Sequence, residues 1–326
     1  MLARTNVVII TYNALEYTRA TIESLYENTD NNFYLTVVDN NSRQDTVEYL
    51  DSLRPAGYCK KVTIIKNDDN MGVGYAYNQG QQLSFDIGVE FTAFCNNDLY
   101  FSRSWLRKLE NSMDHNKGLA MLCPLRPSAK VTYDGSISTR DKLFQIPEVE
   151  SWQQELLAYT ELTLDQFSEF SDKISKANGG SRVEEISFPD SLSTCVCLTR
   201  NSVFRKIGNF ADPSLALSYG GEDIDMCWTV MKLGYGCAID HGVYVHHFRG
   251  KSLASNNMNR TELLKVSNRV LYSKWSDDIW ALIDRKAGLG EDVVSQILTR
   301  GNSEYWLLYE LNNDIEFIDG RNRALV

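Results

Sequence analysis

Three stretches of this 326-residue chain carry acids, amides and histidines at spacings that could do chemistry. Asn96-Asn97-Asp98 closes an apolar run. A carboxylate there can give one oxygen to a hard divalent cation that bridges phosphate oxygens and keeps water ligands. Asn97 is neutral, so the triplet carries less charge than a double aspartate, and taken alone it reads as a turn. Gly220-Gly221-Glu222-Asp223 follows, at the start of a helical pattern. Two small residues let a substrate approach closely. The carboxylates after them either cap the helix and complement its dipole or take a proton from a hydroxyl as a general base. His246-His247 then ends a strand pattern. Adjacent strand residues face opposite sides, so one of the two is expected to reach a metal. Arg249 and Lys251, just beyond, would offset the charge of a diphosphate or form a solvated basic loop.

The elements that must position these groups alternate. Val7–Ile10 is a short, continuously apolar run of the kind buried in a parallel sheet, and Thr11-Tyr12-Asn13 is the turn after it. Leu15–Asn28 has helical spacing. Phe33–Val38 is a second strand, ending at Asp39-Asn40-Asn41-Ser42, and Ser42 or Asn41 is expected to cap a helix over Thr46–Leu53. Val62–Ile65 is a third strand. Asn70-Met71-Gly72-Val73-Gly74 precedes a helix from Tyr75 to Leu83, and Phe91–Cys95 is a fourth strand delivering the Asn-Asn-Asp triplet. This order predicts an α/β fold with a mostly parallel sheet and helices on both faces. Ligands collect at the carboxyl ends of such strands, so Thr11, Asp39, Asn70 and Asp98 are expected around one crevice.

The pattern changes over 131–190. Gly135–Arg140 reads as a loop, Glu148–Lys173 as helix and Ala177–Ser181 as a connector, and the core resumes with a strand over Leu192–Leu198. This interval is expected to be an insertion that shapes an acceptor site or acts as a lid, or else a packing appendage. Beyond His247 the chain turns helical over Thr261–Ile283, Glu291–Leu298 and Glu304–Leu311. The tail is expected to be a small helical domain, a homo-oligomer contact or an acceptor-docking surface. The division is therefore a domain over 1–254 and a helical region over 255–326.

Composition excludes some classes. A formal charge of −10 leaves no basic footprint for nucleic-acid phosphates. The seven cysteines are scattered, without zinc-finger spacing, and read as reduced core residues. Cys195 and Cys197 would share one face of a strand. No run approaches bilayer length and no secretory leader is evident, so a cytoplasmic protein is expected, with peripheral contact at the inner face of a membrane left open.

Taken in order, these motifs resemble the inverting GT-A glycosyltransferases of family 2. The matching stretches are Val7–Asn13, Val37–Ser42, Asn70–Gly80, Asn96–Asp98, Ile207–Phe210, Gly221–Asp225, His247–Ser252 and the segment Asn268–Trp275. The resemblance implies a nucleotide-sugar donor whose base, ribose and diphosphate lie against Thr11, Tyr12, Asn13, Asp39, Asn70, Gly72, Gly74, Asn78, Asn96, Asn97, Arg249 and Lys251. It implies Asp98 and His247 as ligands of Mn²⁺ or Mg²⁺, with His246 the lesser choice. Asp223 would be the base, with Glu222 supporting it or meeting the acceptor, which would be a glycan, a lipid-linked molecule or a protein.

Two departures stand out. The triplet lacks the first aspartate of Asp-x-Asp, and Ala211-Asp212-Pro213 follows Phe210 where the family often has Asp-Glu. Two other readings remain. A nucleotidyltransferase would need a glycine- and arginine-rich loop that Thr11–Leu15 does not provide. A non-catalytic nucleotide-binding scaffold would have no use for Asp98, Asp223 and His247 together.

Overall fold

The computed structural model describes residues 2–126, 183–216, 220–248, 260–300 and 304–318. Among them, chain order runs β1 (Thr5–Thr11), α1 (Leu15–Asn28), β2 (Phe33–Asp39), α2 (Gln44–Ser52), β3 (Cys59–Lys66), α3 (Val73–Asp86) and β4 (Phe91–Asn96). Next come β5 (Leu99–Phe101), α4 (Trp105–His115), β6 (Leu119–Leu125), β7 (Val183–Ile186), β8 (Val196–Arg200), α5 (Asn201–Ile207) and α6 (Pro213–Ala216). The last are α7 (Glu222–Lys232), β9 (Gly236–His247), α8 (Arg260–Gly288), α9 (Val293–Leu298) and α10 (Trp306–Ile315).

The strands form one sheet in the order β3-β2-β1-β4-β8-β6-β9-β5, with β7 added to β9. β1 lies parallel to both β2 and β4, and β2 parallel to β3. β8 is antiparallel to β4 and β6. Every residue of β1 is buried, which fits a strand covered on both faces by helices. Side chains alternate between two cores. One holds Val8, Ile10, Tyr77, Phe94 and Trp228, and the other holds Val7, Ile9, Phe91 and Trp105. Helix α3 approaches the first of these closely because Gly80 lies over Val8, where a Cβ would stand 2.2 Å from a Val8 methyl.

Several expectations change. Strands β5 and β6 and helix α4 were not foreseen. β5 has three residues, too few for a pattern, and β6 contains Pro124, which reads as a breaker. The sheet returns at Val183, before the expected Leu192, and β8 is shifted to Val196–Arg200. The expected insertion thus contributes a strand, while its residues 131–182 lie outside the described residues. Neither Ser42 nor Asn41 caps α2. Arg43 stands at that N-cap, and Ser42 is taken up by Asp39 and Asn13. Cys195 and Cys197 fall in different cores; Cys195 precedes β8, and its carbonyl accepts from the Asn96 amide at 2.8 Å, continuing the β4–β8 register. All seven thiols are free and buried.

The C-terminal helices join the first core through Leu271, Trp275, Ile279 and Leu308. Among the described residues no helix is long and apolar enough to cross a membrane.

Candidate active site

The register sets the site. Thr11 pairs with Asp39 and Ile10 with Asn96, so β1, β2 and β4 end side by side. Their tips carry Thr11–Asn13, Asp39–Ser42 and Asn96–Asp98 to one edge of the sheet. Asn13 and Asn41 take left-handed backbone, φ 60° and 66°, a conformation that asparagine tolerates. The Asn13 amide donates to Ser42 Oγ at 2.8 Å, the Arg43 amide to Asn13 Oδ1 at 2.6 Å, and the Ser42 amide to Asp39 Oδ1 at 3.2 Å. The first two loops are therefore one unit, with Tyr12 half-buried beside them. Burial pushes the Asp39 carboxyl up, and the Ser42 hydrogen bonds oppose this.

Several of the residues expected to meet the donor also hold the loops together. Asn97 Nδ2 lies 2.8 Å from Thr18 Oγ1 and 3.2 Å from both Thr11 Oγ1 and Asn13 O, bracing the first loop from beneath. Asn78 spends both ends of its amide on the backbone of Ala211, at 2.9 and 2.8 Å. Asn70 is exposed and accepts from the Gly72 amide at 3.1 Å, and Gly72, with φ 81°, opens α3, where Gly74 is buried in the first turn. Asn40 and Asn67, which were not singled out, hold this loop to the second one. Asn40 Nδ2 donates to Gly72 O, and Asn67 Nδ2 donates to Asn40 Oδ1.

Asp98 and His247 meet. β9 runs antiparallel to β5 with His247 opposite Leu99, and the Phe248 amide donates to Asp98 O at 2.9 Å. His247 Nε2 stands 3.0 Å from Asp98 Oδ1 and 3.3 Å from the Asn96 amide. Burial alone would lower the imidazole pKa. Asp98 and Cys195 outweigh it and raise the value to about 9. Burial also works to raise Cys195, but Arg126 and His247 prevail and bring its thiol down to about 7. His246 points the other way, 3.0 Å from the Tyr244 hydroxyl and edge-on to Phe248.

Adjacent ligands of an octahedral ion with bonds of about 2.1 Å lie about 3.0 Å apart. The Asp98–His247 spacing equals that edge and is equally the length of a direct hydrogen bond between the two. Among the described residues no group of three or more His, Cys, Asp or Glu side chains is arranged around one ion, so the remaining ligands would be water and phosphate oxygens. Arg249 and Lys251 lie outside the described residues.

Glu222 and Asp223 occupy the first turn of α7. Gly221 is its N-cap and no side chain caps it. Gly220 and Gly221 both have positive φ, 79° and 89°, and a Cβ on Gly220 would come within 2.8 Å of Leu264 on α8. The backbone conformation and the closeness of α8 both call for glycine. Glu222 is buried, and its Oε2 has no hydrogen-bond partner among the described residues. Burial, then the charge of Asp223, lift it to about 8. A helix N-terminus favours a carboxylate by only about 0.3–1 kcal/mol, too little to reverse that. Asp223 is half-buried and also raised by burial, with the Ile224 amide (2.9 Å to Oδ1), Arg126 and the Thr194 amide working against it. Asp225, one residue further, is spent on Lys274 and Trp275.

The two halves of the site join through residues that sequence reasoning missed. Tyr77 is fully buried, and its hydroxyl lies 3.0 Å from Thr194 O and 3.1 Å from the Asn96 side chain. Thr194 and Cys195 thus touch the Asp98–His247 side and the Asp223 side. Arg126, at the end of β6, acts on both Cys195 and Asp223. The apolar run Leu119–Leu125 was the available signal for Arg126; Tyr77 lay within the matching Asn70–Gly80 stretch without a role of its own, and nothing local marked Thr194.

The model of glycosyl transferase family 2 matches residues 6–181, more than half of the chain. The chain belongs to glycosyl transferase family 2. Among solved structures, this family 2 glycosyltransferase resembles GalNAc-T7, crystallised with UDP, GalNAc and Mn²⁺, at a TM-score of 0.50 and 14% identity. That alignment covers 76% of the chain but 44% of GalNAc-T7, so the chain spans less than half the length of that relative, and the likeness is one of the GT-A fold. S. aureus TarS 1-349 aligns with a TM-score of 0.49 and 13% identity, over 84% of the chain and 72% of TarS 1-349. A comparison with curated proteins finds no match.

Proposed function

We propose that this glycosyltransferase is metal-dependent and inverting, moving a sugar from a nucleoside-diphosphate donor to an acceptor hydroxyl in a single displacement. The observation that carries the reading is the Asp98–His247 pair, 3.0 Å apart at the strand tips, joined through Thr194 and Cys195 to the Glu222–Asp223 turn. The UDP and Mn²⁺ held by GalNAc-T7 on the same fold support a nucleotide donor and a divalent ion.

Asp98 and His247 would hold Mn²⁺ or Mg²⁺, which when bound supplies positive charge to the departing diphosphate. Thr11, Tyr12, Asn13 and Asp39 would face the nucleoside, and Asn70, Gly72 and Gly74 the ribose and diphosphate. Asn96, Asn97 and Asn78 would support that pocket from behind, and Arg249 and Lys251 would offset the charge of the diphosphate. Glu222 and Asp223 are adjacent carboxyls, and like charges resist ionising together. Burial and the charge of Asp223 push Glu222 up to about 8, and in this reading Asp223 is the charged member of the pair. Asp223 then accepts the acceptor hydroxyl's proton as that oxygen bonds to the anomeric carbon. The bond from that carbon to the diphosphate oxygen breaks on the opposite face, its electron pair leaving with the nucleoside diphosphate.

The test is a panel of nucleotide-sugars with Mn²⁺ or Mg²⁺, with and without chelator, following nucleoside-diphosphate release and the anomeric configuration of the product by NMR. Metal-dependent release with inversion is expected. Retention, or release unaffected by chelator, would overturn the corresponding half of the proposal.

A further inference from the structure

The contacts of Tyr77, Asn96 and His247 cannot all be satisfied by one placement of protons. With Asn96 Oδ1 toward Tyr77, the Tyr77 hydroxyl faces two acceptors, Thr194 O at 3.0 Å and Asn96 Oδ1 at 3.1 Å. A phenol has one proton, so one acceptor is left without a donor. In the same placement Asn96 Nδ2 lies 3.3 Å from His247 Nε2, which also stands 3.0 Å from Asp98 Oδ1. Nε2 would have to accept from the amide and donate to the carboxylate at once, and one ring nitrogen cannot do both.

A single half-turn of the carboxamide removes both conflicts, and the oxygen and nitrogen of an amide are assigned by such networks. Asn96 Nδ2 then donates to the Tyr77 hydroxyl, and Tyr77 donates to Thr194 O. Asn96 Oδ1 turns toward His247, where it accepts from Nε2–H alongside Asp98.

We infer that Tyr77 is a positioning residue: it fixes the Asn96 amide with its oxygen toward His247, so that no amide N–H faces the Asp98–His247 cation site. The inference rests on the metal reading above. Its physical basis is that an outward amide N–H group would repel a cation, while a carbonyl oxygen attracts one. The Tyr77 ring is held edge-on at 4.7 Å from Phe94 and 5.5 Å from Phe210, so removing only the hydroxyl leaves that packing in place.

Mn²⁺ alone, titrated into the metal-free protein and followed by the paramagnetic resonance of the free ion, tests this with four proteins. These are the unaltered chain, Tyr77→Phe, Asn96→Asp and the double variant. Loss of a group that orients the surroundings of a metal ligand weakens metal binding about tenfold or more, which is the expected effect of Tyr77→Phe. An aspartate has oxygen on both sides and needs no orienting, so in the Asn96→Asp background the same change is expected to alter affinity less than about twofold. Equal losses in both backgrounds, or no loss in either, overturn the inference and leave the metal reading standing. Absence of Mn²⁺ binding to the unaltered chain overturns both. A second readout needs no variant. In the metal-free protein the Asn96 side-chain NH₂ protons are expected to show nuclear Overhauser contacts to the Tyr77 ring. Contacts to the His247 ring in their place overturn the assignment.

Discussion

The indole Nε1 of Trp275 donates to Asp225 Oδ1 at 2.6 Å, tying helix α8 to the helix whose first turn carries Glu222 and Asp223. Lys274 adds a second link, reaching Asp225 Oδ2 at 2.9 Å and Asp212 Oδ2 at 2.7 Å. The C-terminal region therefore helps to hold the acidic turn. Trp275→Phe keeps most of the apolar contact with Trp228, whose ring lies 5.5 Å away, but leaves a buried carboxylate oxygen without its donor. The expected loss of stability is about 1–3 kcal/mol, read as a lower urea midpoint with an unchanged slope. A midpoint equal to that of the unaltered protein would show that this bond contributes nothing.

Glu222 makes stability depend on pH. Its folded pKa is about 8 against an ordinary value of 4.5, so between those values the folded chain binds a proton that the unfolded chain has released. Stability from this group is full below about pH 4.5 and is lost as pH rises through about 8. Glu222→Gln removes that dependence. The Tm difference, variant minus unaltered, is expected to grow steadily as pH is raised across this window. A difference that stays flat would contradict the assignment.

Metal binding should carry the opposite pH slope. His247 holds a proton up to about pH 9 that an ion must displace. Below that pH, Mn²⁺ affinity is expected to rise about tenfold per pH unit as one proton is released. Asp98→Ala removes the carboxylate and should abolish most of the binding. Calorimetric titration at several pH values checks both, and a pH-independent affinity would remove His247 as a ligand.

Asp223→Asn is expected to slow transfer by about 10²–10⁴-fold, the usual contribution of a general base. Donor binding should be nearly unchanged, because the neutral amide keeps the shape of the turn. Rates of product formation set beside equilibrium donor binding separate the two effects. Transfer at the unaltered rate would exclude Asp223 as the base.

Gly80→Ala should separate α3 from the sheet, since its new methyl would stand 2.2 Å from Val8 Cγ1. Overpacking of this kind is expected to lower stability by about 1–3 kcal/mol. Val8→Ala, placed on top, opens the space and should recover part of the loss. Two independent, additive losses in a denaturation series would show that the contact is not the cause.

The sequence by itself determined the strands β1 to β4, the helices between them and the order of the acidic, amide and histidine motifs. Continuous apolar runs and helical spacing are local properties, and the turns after such strands must gather at one sheet edge. The family resemblance was legible for the same reason, since it rests on contiguous stretches. Tertiary structure decided which side chains face outward. Asn97 and Asn78 carry amides suited to a ligand, yet both are engaged by backbone or side-chain groups from elsewhere in the chain. Asp98 and His247 are far apart in sequence and meet only because β9 folds back beside β5. Tyr77, Thr194 and Arg126 became visible in the same way, through contacts between segments distant in the chain. Periodicity records which face of an element is buried. It does not record which distant segment covers that face, and this pairing determined the shape of the candidate site.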